Sequence, residues 1–243
     1  MRYNHSERRD SVIYVMSDLH GEAEKFELML QKIGFSDSDE LYILGDIFDR
    51  GPEPIKLLLR IMDMPNVFPL LGNHELMGYD VLRRLSVEIT QENFATQVDR
   101  NTMLDILEWQ QNGGGVTMKQ FAALPVKKRK EALEYIEDFY KFEAVDVGEK
   151  TFVLVHAGLG NHRSDKKLSE YTLEELTMMT PDYEKQYFAD ESIFVVCGHT
   201  PTKAISGKWE IYHSHNNICI DCGACFGGRL ACLCLDTAEE FYI

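Results

Sequence analysis

Five apolar, strand-like runs in this chain each give way to a short polar motif, and no other feature constrains its fold as strongly. The motifs are Asp18-Leu19-His20-Gly21, Gly45-Asp46-Ile47-Phe48-Asp49-Arg50-Gly51, Gly72-Asn73-His74-Glu75, His156-Ala157-Gly158 and Gly198-His199-Thr200. Ligands of α/β sheets collect just beyond the carboxyl ends of strands, so all five motifs can converge on one crevice. Asp, His and Asn offer the oxygen and nitrogen ligands that suit Mn, Fe or Zn, and no thiolate joins them. The glycines suit a backbone that turns sharply in a crowded centre. Taken singly, each motif reads as a turn with a polar cap. Gly72-Asn73-His74-Glu75, for one, reads as a helix start with Asn73 as N-cap and Glu75 in the first turn. Five at strand ends point instead to a shared site.

The runs between the motifs set the architecture. Val12 to Met16, Leu41 to Leu44 and Asn66 to Leu71 read as strands, alternating with helices from Glu22 to Ile33, Pro54 to Met62 and Glu75 to Leu85. The first of these helices carries Phe26, Met29, Leu30 and Ile33 on one face. Glu88 to Gln111 is polar with helical spacing and stops at Asn112-Gly113-Gly114-Gly115, a strong break. A further helix is expected over Pro125 to Tyr140. The text then turns strand-rich: Phe142 to Val147 and Thr151 to His156 flank Gly148-Glu149 as a hairpin. Later strands are expected at Ile193 to Cys197, Ile211 to His213, Ile218 to Asp221 and Arg229 to Leu235. No linker divides the chain, so a single α/β (α+β) domain over 1–243 is expected, with a helical insert at roughly 88–140.

The balance of 40 acidic against 25 basic side chains leaves −15, which argues against a nucleic-acid partner, because neutralising phosphates takes clustered Lys and Arg. Hydrophobic content of 44% excludes intrinsic disorder. No apolar run reaches the roughly 18 residues of a membrane span, and Met1 to Asp10 has no signal-like stretch. All six cysteines lie between Cys197 and Cys234, mostly in strand-like text. They read as reduced core thiols, and the expected location is cytoplasmic.

In their order and spacing, Asp-x-His-Gly, Gly-Asp-x-x-Asp-Arg-Gly, Gly-Asn-His-Glu, His-Ala-Gly and Gly-His-Thr resemble the phosphoprotein phosphatase (PPP) family of metallophosphoesterases. The likeness runs from Val12 to Leu235 and is nearest to the short bacterial and bacteriophage branch. It includes Asn112 to Gly115, Ile220-Asp221 and Phe226-Gly227-Gly228. The resemblance implies a calcineurin-like metallophosphoesterase fold, a central β-sandwich flanked by helices, with two divalent metal ions at strand ends. Manganese is the first expectation, with iron or zinc as alternatives. Asp18 and His20 would bind one metal, Asp46 would bridge both, and Asn73, His156 and His199 would complete the second site. A hydroxide held between the metals would attack phosphorus in line. His74 would protonate the leaving oxygen, Asp49 would fix the His74 tautomer and favour its charged form, and Arg50 would clamp phosphate oxygens.

Relatives in the short branch often carry two further arginines. Here Leu71 stands before Gly72, and Leu176 to Tyr183 contains no Arg. Arg163, Arg83 and Lys203 could substitute, but no motif places them. The leading expectation for the substrate is a protein phosphorylated on serine or threonine, and on tyrosine as an extension. The alternative is a dinucleotide such as diadenosine tetraphosphate, or another small phosphate ester. Symmetrically cleaving dinucleotide hydrolases tend to show Gly-Asn-His-Asp and lack the Asp before the Arg, so Glu75 and Asp49 weigh toward the phosphomonoesterase. A non-catalytic phosphoprotein-binding scaffold would have lost a ligand or the acid, and none is missing. Cys219-x-x-Cys222-x-x-Cys225, His213-x-His215 and Lys127 to Lys130 read as core, surface pair and solvated helix start. Gly113 to Gly115 reads equally as groove border or plain break. Two divalent cations would make the centre locally positive beside Arg50 despite the −15.

Overall fold

Tyr14 and Met16 face one hydrophobic cluster while Val15, between them, faces another, and this period of two sorts the molecule into layers. The computed structural model describes residues 11–87 and 99–243; the stretch 88–98 of the expected insert lies outside the described residues. One sheet is built from β1 (Ile13–Met16), β2 (Glu40–Ile43), β3 (Val67–Pro69), β9 (Ala231–Cys234) and β10 (Glu240–Tyr242), in the order β10-β9-β1-β2-β3. The other comprises β4 (Glu143–Val147), β5 (Lys150–Leu154), β6 (Ile193–Cys197), β7 (Tyr212–Ser214) and β8 (Asn217–Cys219), ordered β4-β5-β6-β8-β7. Both sheets are mixed. β1, β2 and β3 run parallel, as do β5, β6 and β8, and antiparallel strands complete each sheet.

Val15, Leu44, Phe152, Leu154, Val196 and Leu233 fill the space between the sheets. The outer face of the first sheet is covered by α1 (Ala23–Ile33), α2 (Pro54–Met62) and α3 (Asn73–Leu85), which bury Phe26, Met29, Leu57 and Leu82 beside Met16 and Ile43. The insert adds α4 (Arg100–Gln111), α5 (Gly115–Ala122) and α6 (Val126–Glu137) to this layer. On the far face of the second sheet, Val153, Val195 and Cys197 pack against Tyr171, Leu176 and Tyr183, from the short α7 (Leu173–Thr177) and its flanks. This is the architecture that the resemblance implies, two β-sheets face to face with helices outside them.

Local chemistry accounts for the helix ends. α1 stops where Gly34 enters the left-handed region at φ 62°, letting Phe35 N–H return to Leu30 O. Pro54 opens α2, where its missing N–H has no partner to lose. Asp99 caps α4 by accepting from Thr102 N–H.

The structure departs from the sequence reading at several boundaries. α3 begins at Asn73, two residues early, with Gly72 rather than Asn73 as N-cap. The helix expected over Pro125 to Tyr140 is shorter, because the chain leaves it at Asp138 to bring Tyr140 beside Leu70. α5, α7, α8 (Thr202–Ser206) and β10 were not expected; β10 is three half-buried residues that exist only by pairing with β9. The six cysteines are unbridged, and all but Cys225 are buried. Among the described residues no helix is long and apolar enough to cross a membrane.

Candidate active site

All five motifs sit at carboxyl ends of strands, three from one sheet and two from the other. Asp18 and His20 follow β1; Asp46, Asp49 and Arg50 follow β2; Asn73 and His74 open α3 after β3. His156 and His199 follow β5 and β6. Among the described residues nine non-glycines have a left-handed backbone, and six are Asp18, His20, Asp46, Asp49, Arg50 and His199. Such conformations cost about 1–3 kcal/mol each and persist only where the surroundings impose them, so strain is concentrated on the motifs. Close packing imposes it: a Cβ on Gly45 would lie 2.5 Å from Gly72 N, and one on Gly51 would lie 2.0 Å from His20 O.

Asp46 is the hinge of the arrangement. Its Oδ2 faces His20 Nε2 at 3.4 Å and His74 Nε2 at 3.9 Å, while its Oδ1 faces His156 Nε2 at 3.5 Å. Asn73 Oδ1 lies 3.0 Å from both His156 Nε2 and His199 Nδ1, and those two nitrogens are 3.2 Å apart. Two donor groups result, His20-Asp46-His74 and Asp46-His156-His199, sharing one carboxylate. Asp18 is buried, but its Oδ2 accepts from His199 N–H at 2.9 Å and from the Ser17 hydroxyl, so it ties the two sheets and belongs to neither group.

The donor chemistry fits divalent cations. His20 Nδ1 donates to Phe48 O at 2.7 Å and His156 Nδ1 to Leu44 O at 2.6 Å, which leaves each Nε2 as a lone pair facing Asp46. His74 Nε2 is buried without a partner. Burial, with the Arg50 charge behind it, pushes both His20 and His74 down to about 3; burial also lowers His156 and His199. Asp46 is driven the other way, well above the usual carboxylate range, by burial and by Asp18. Neutral imidazoles and crowded carboxylates turned on one point are ready ligands, and a cation there removes the mutual repulsion.

A second set of contacts surrounds His74. Its Nδ1 meets Asp49 Oδ2 at 2.7 Å, and Asp49 also accepts from Trp109 Nε1 at 2.6 Å and Thr117 Oγ1 at 2.5 Å. Burial lifts Asp49 to about 6 against those hydrogen bonds. Asp49 is thus placed to fix the His74 tautomer, while burial lowers the His74 pKa against the charged ring. Arg50 Nη1 donates to His20 Nε2 at 2.5 Å. Gly113, at φ 98°, takes Arg50 N–H on its carbonyl at 3.2 Å, and a Cβ there would lie 2.8 Å from Arg50 Cγ. The Gly113 turn thus borders the site rather than merely ending a helix.

Sequence reasoning missed three supporting residues. Glu75, read as a first-turn acid, is fully buried and accepts backbone N–H groups from Gly72, Asp46, Ile47 and Phe48 at 2.8–3.2 Å. Trp109 and Thr117 come from the insert; a lone Trp in polar helical text was the available signal. The substitutes considered for the absent arginines sit elsewhere: Arg83 pairs with Asp80, Arg163 with Asp165, and Lys203 lies over Trp209. His213 pairs with Glu240, and Lys127, Lys128 and Lys130 pair along α6 with Glu131 and Glu134. The loop without Arg closes against the fourth motif, with Pro181 on Gly158 and Met179 on Gly160.

Two facing sheets gather histidines and carboxylates at their strand ends, a donor set that suits a metal-dependent hydrolase. The sequence model for the calcineurin-like phosphoesterase family matches residues 11–228, and the chain belongs to that family. It is 36% identical over 136 residues to a symmetrical bis(5'-nucleosyl)-tetraphosphatase of Acidovorax sp. (strain JS42), covering 51% of this chain and 48% of that one, about half its length. Over 250 residues it is 25% identical to the asymmetrical bis(5'-nucleosyl)-tetraphosphatase PrpE of Bacillus thuringiensis (strain Al Hakam), covering 90% of this chain and 88% of that one. A crystal structure assigned provisionally as a diadenosine tetraphosphatase superposes with a TM-score of 0.67 at 16% identity, over 97% of this chain and 94% of the other, which reflects the shared fold.

Proposed function

We propose that this protein hydrolyses bis(5'-nucleosyl) tetraphosphates, and does so asymmetrically. The observation that carries this reading is the similarity to an asymmetrical tetraphosphatase over nine-tenths of both chains. It replaces the phosphoprotein substrate as the leading choice. Glu75 and Asp49 had favoured a phosphomonoesterase, yet Glu75 serves backbone amides and Asp49 orients His74. Neither reads a leaving group. Their presence, where symmetrical enzymes tend to differ, now weighs toward the asymmetrical activity.

In this reading Asp18, His20, Asp46, Asn73, His156 and His199 would hold two divalent cations, with Asp18 also accepting the His199 backbone N–H. The cations, when bound, supply Lewis acidity toward phosphate oxygens and activate water. Arg50 binds the phosphate chain with its fork of donors. Glu75 fixes the loop that presents Asp46. His74, with its Nδ1 held by Asp49, turns Nε2 on the centre, where it would protonate a leaving oxygen. An anhydride, whose departing phosphate has a pKa of about 6, needs that proton less than a serine alkoxide does. The test is turnover of diadenosine tetraphosphate against phosphoserine and phosphotyrosine peptides with added Mn²⁺. Release of ATP plus AMP is expected. Paired ADP would make the cleavage symmetrical, and faster peptide turnover would restore the protein phosphatase.

A further inference from the structure

Phe226 is 51% exposed in the turn Ala224–Phe226, yet it is not a loose surface residue. Its ring lies under Arg50, with Cζ 5.1 Å from the ring centroid, and meets His20 edge-on at 6.5 Å between centroids and 72° between planes. The turn is held from every side. Phe226 N–H and Gly228 N–H both return to Gly223 O at 2.9 Å, Gly223 N–H is taken by Asp221 Oδ1 at 2.9 Å, and Lys25 Nζ donates to Ala224 O. Left-handed Gly223 and Gly227 flank it, and Trp209 packs beneath so tightly that a Cβ on Gly223 would lie 2.2 Å from its ring. Apart from its chain neighbours no atom stands within 4 Å of a Cβ built on Gly227, so the space beside the turn is open.

We infer that Phe226 is a specificity-determining residue, a rigid platform on which a nucleobase of the substrate stacks while Arg50 holds the adjoining phosphate. The inference rests on the dinucleotide reading above and adds to it the side of the site on which the nucleoside lies. An exposed aromatic ring pinned beside a phosphate-binding guanidinium presents the two surfaces a nucleoside phosphate offers in reverse: a flat π-face and an anion joined by a sugar. Every base has such a face, so the platform selects nucleotides over other phosphate esters without selecting among bases. Its rigidity means that little ordering entropy is lost on binding.

The test uses the full chain loaded with Mn²⁺ and a binding readout. Calorimetry compares a non-hydrolysable, methylene-bridged diadenosine tetraphosphate with its abasic counterpart carrying 1-deoxyribose at both ends. Phe226→Leu is expected to weaken the dinucleotide roughly 10- to 100-fold and to leave the preference of the wild type over the abasic compound abolished. Phe226→Trp is expected to restore dinucleotide affinity, which excludes misfolding as the cause. Equal weakening of both compounds would mean that the ring acts only through Arg50 and would overturn the inference, as would no weakening of either. Turnover of hydrolysable diadenosine tetraphosphate by the wild type is read separately, and its absence would sink the function reading rather than the base contact alone.

Discussion

His74 and Asp49 form a buried pair, Nδ1 to Oδ2 at 2.7 Å, and the carboxylate is shared with Trp109 and Thr117 from the helical insert. His74 is thereby held by a segment that carries none of the strand-end motifs.

That pairing makes His74→Asn sensitive to the leaving group. On an alkyl phosphate the variant should lose about 10²–10⁴-fold in kcat, the range of general acid catalysis. On diadenosine tetraphosphate or an aryl phosphate, whose leaving groups depart with less help, the loss should be much smaller. Steady-state kinetics on the three substrates checks this, and equal losses would remove His74 from proton transfer.

Glu75→Gln replaces one of two oxygens that together accept four backbone amides with an NH₂ that must face N–H donors. The expected destabilisation is about 3 kcal/mol, a fall in Tm of roughly 6–12 °C for a chain of this size. Because three of those amides belong to the Asp46 loop, metal affinity should fall as well. Thermal unfolding with and without Mn²⁺ separates the two effects; an unchanged affinity would make Glu75 a purely structural residue.

Gly113→Ala sets a methyl 2.8 Å from Arg50 Cγ at a φ of 98°. The backbone term is about 1–3 kcal/mol. The displaced guanidinium should raise KM about tenfold or more, the worth of a charged hydrogen bond, with a smaller change in kcat. Gly115→Ala, where no atom stands within 4 Å, is the matched control and should behave as wild type.

The metal-free protein should show the burial of His20 in its pH dependence. Burial lowers this group from 6.5 to about 3. Its contribution is present above pH 6.5 and is lost as pH falls toward 3, because the unfolded chain takes up a proton that the folded chain refuses. His20→Asn lacks that proton site. The stability difference should move in the variant's favour by about 2 kcal/mol between pH 7 and pH 5. Urea unfolding at several pH values measures it, and a pH-independent difference would show His20 to titrate normally.

Much of the site was legible because strand ends are marked twice, by an apolar run that stops and by a polar motif that begins. Asp46, His156 and His199 are separated by more than 150 residues, yet each announces itself this way. What stayed hidden depends on tertiary placement. Trp109 and Thr117 reach Asp49 across 60 and 68 residues, and nothing local to α4 or α5 requires it. β10 has too few residues to show a period. The substrate is hard to read from the motifs for a related reason: Glu75 and Asp49 are motif positions, but their side chains face the scaffold, so their identity speaks to how the loops are held.

The chain has two tryptophans, and they stand on opposite flanks of the site. Trp109 is sealed against Asp49, while Trp209 supports the turn that carries Phe226. The molecule therefore contains its own pair of optical reporters. With Trp209→Phe, the remaining indole emission should follow the charge state of the His74 pair. With Trp109→Phe it should follow occupation of the nucleoside side, so the two halves of one binding event can be timed separately.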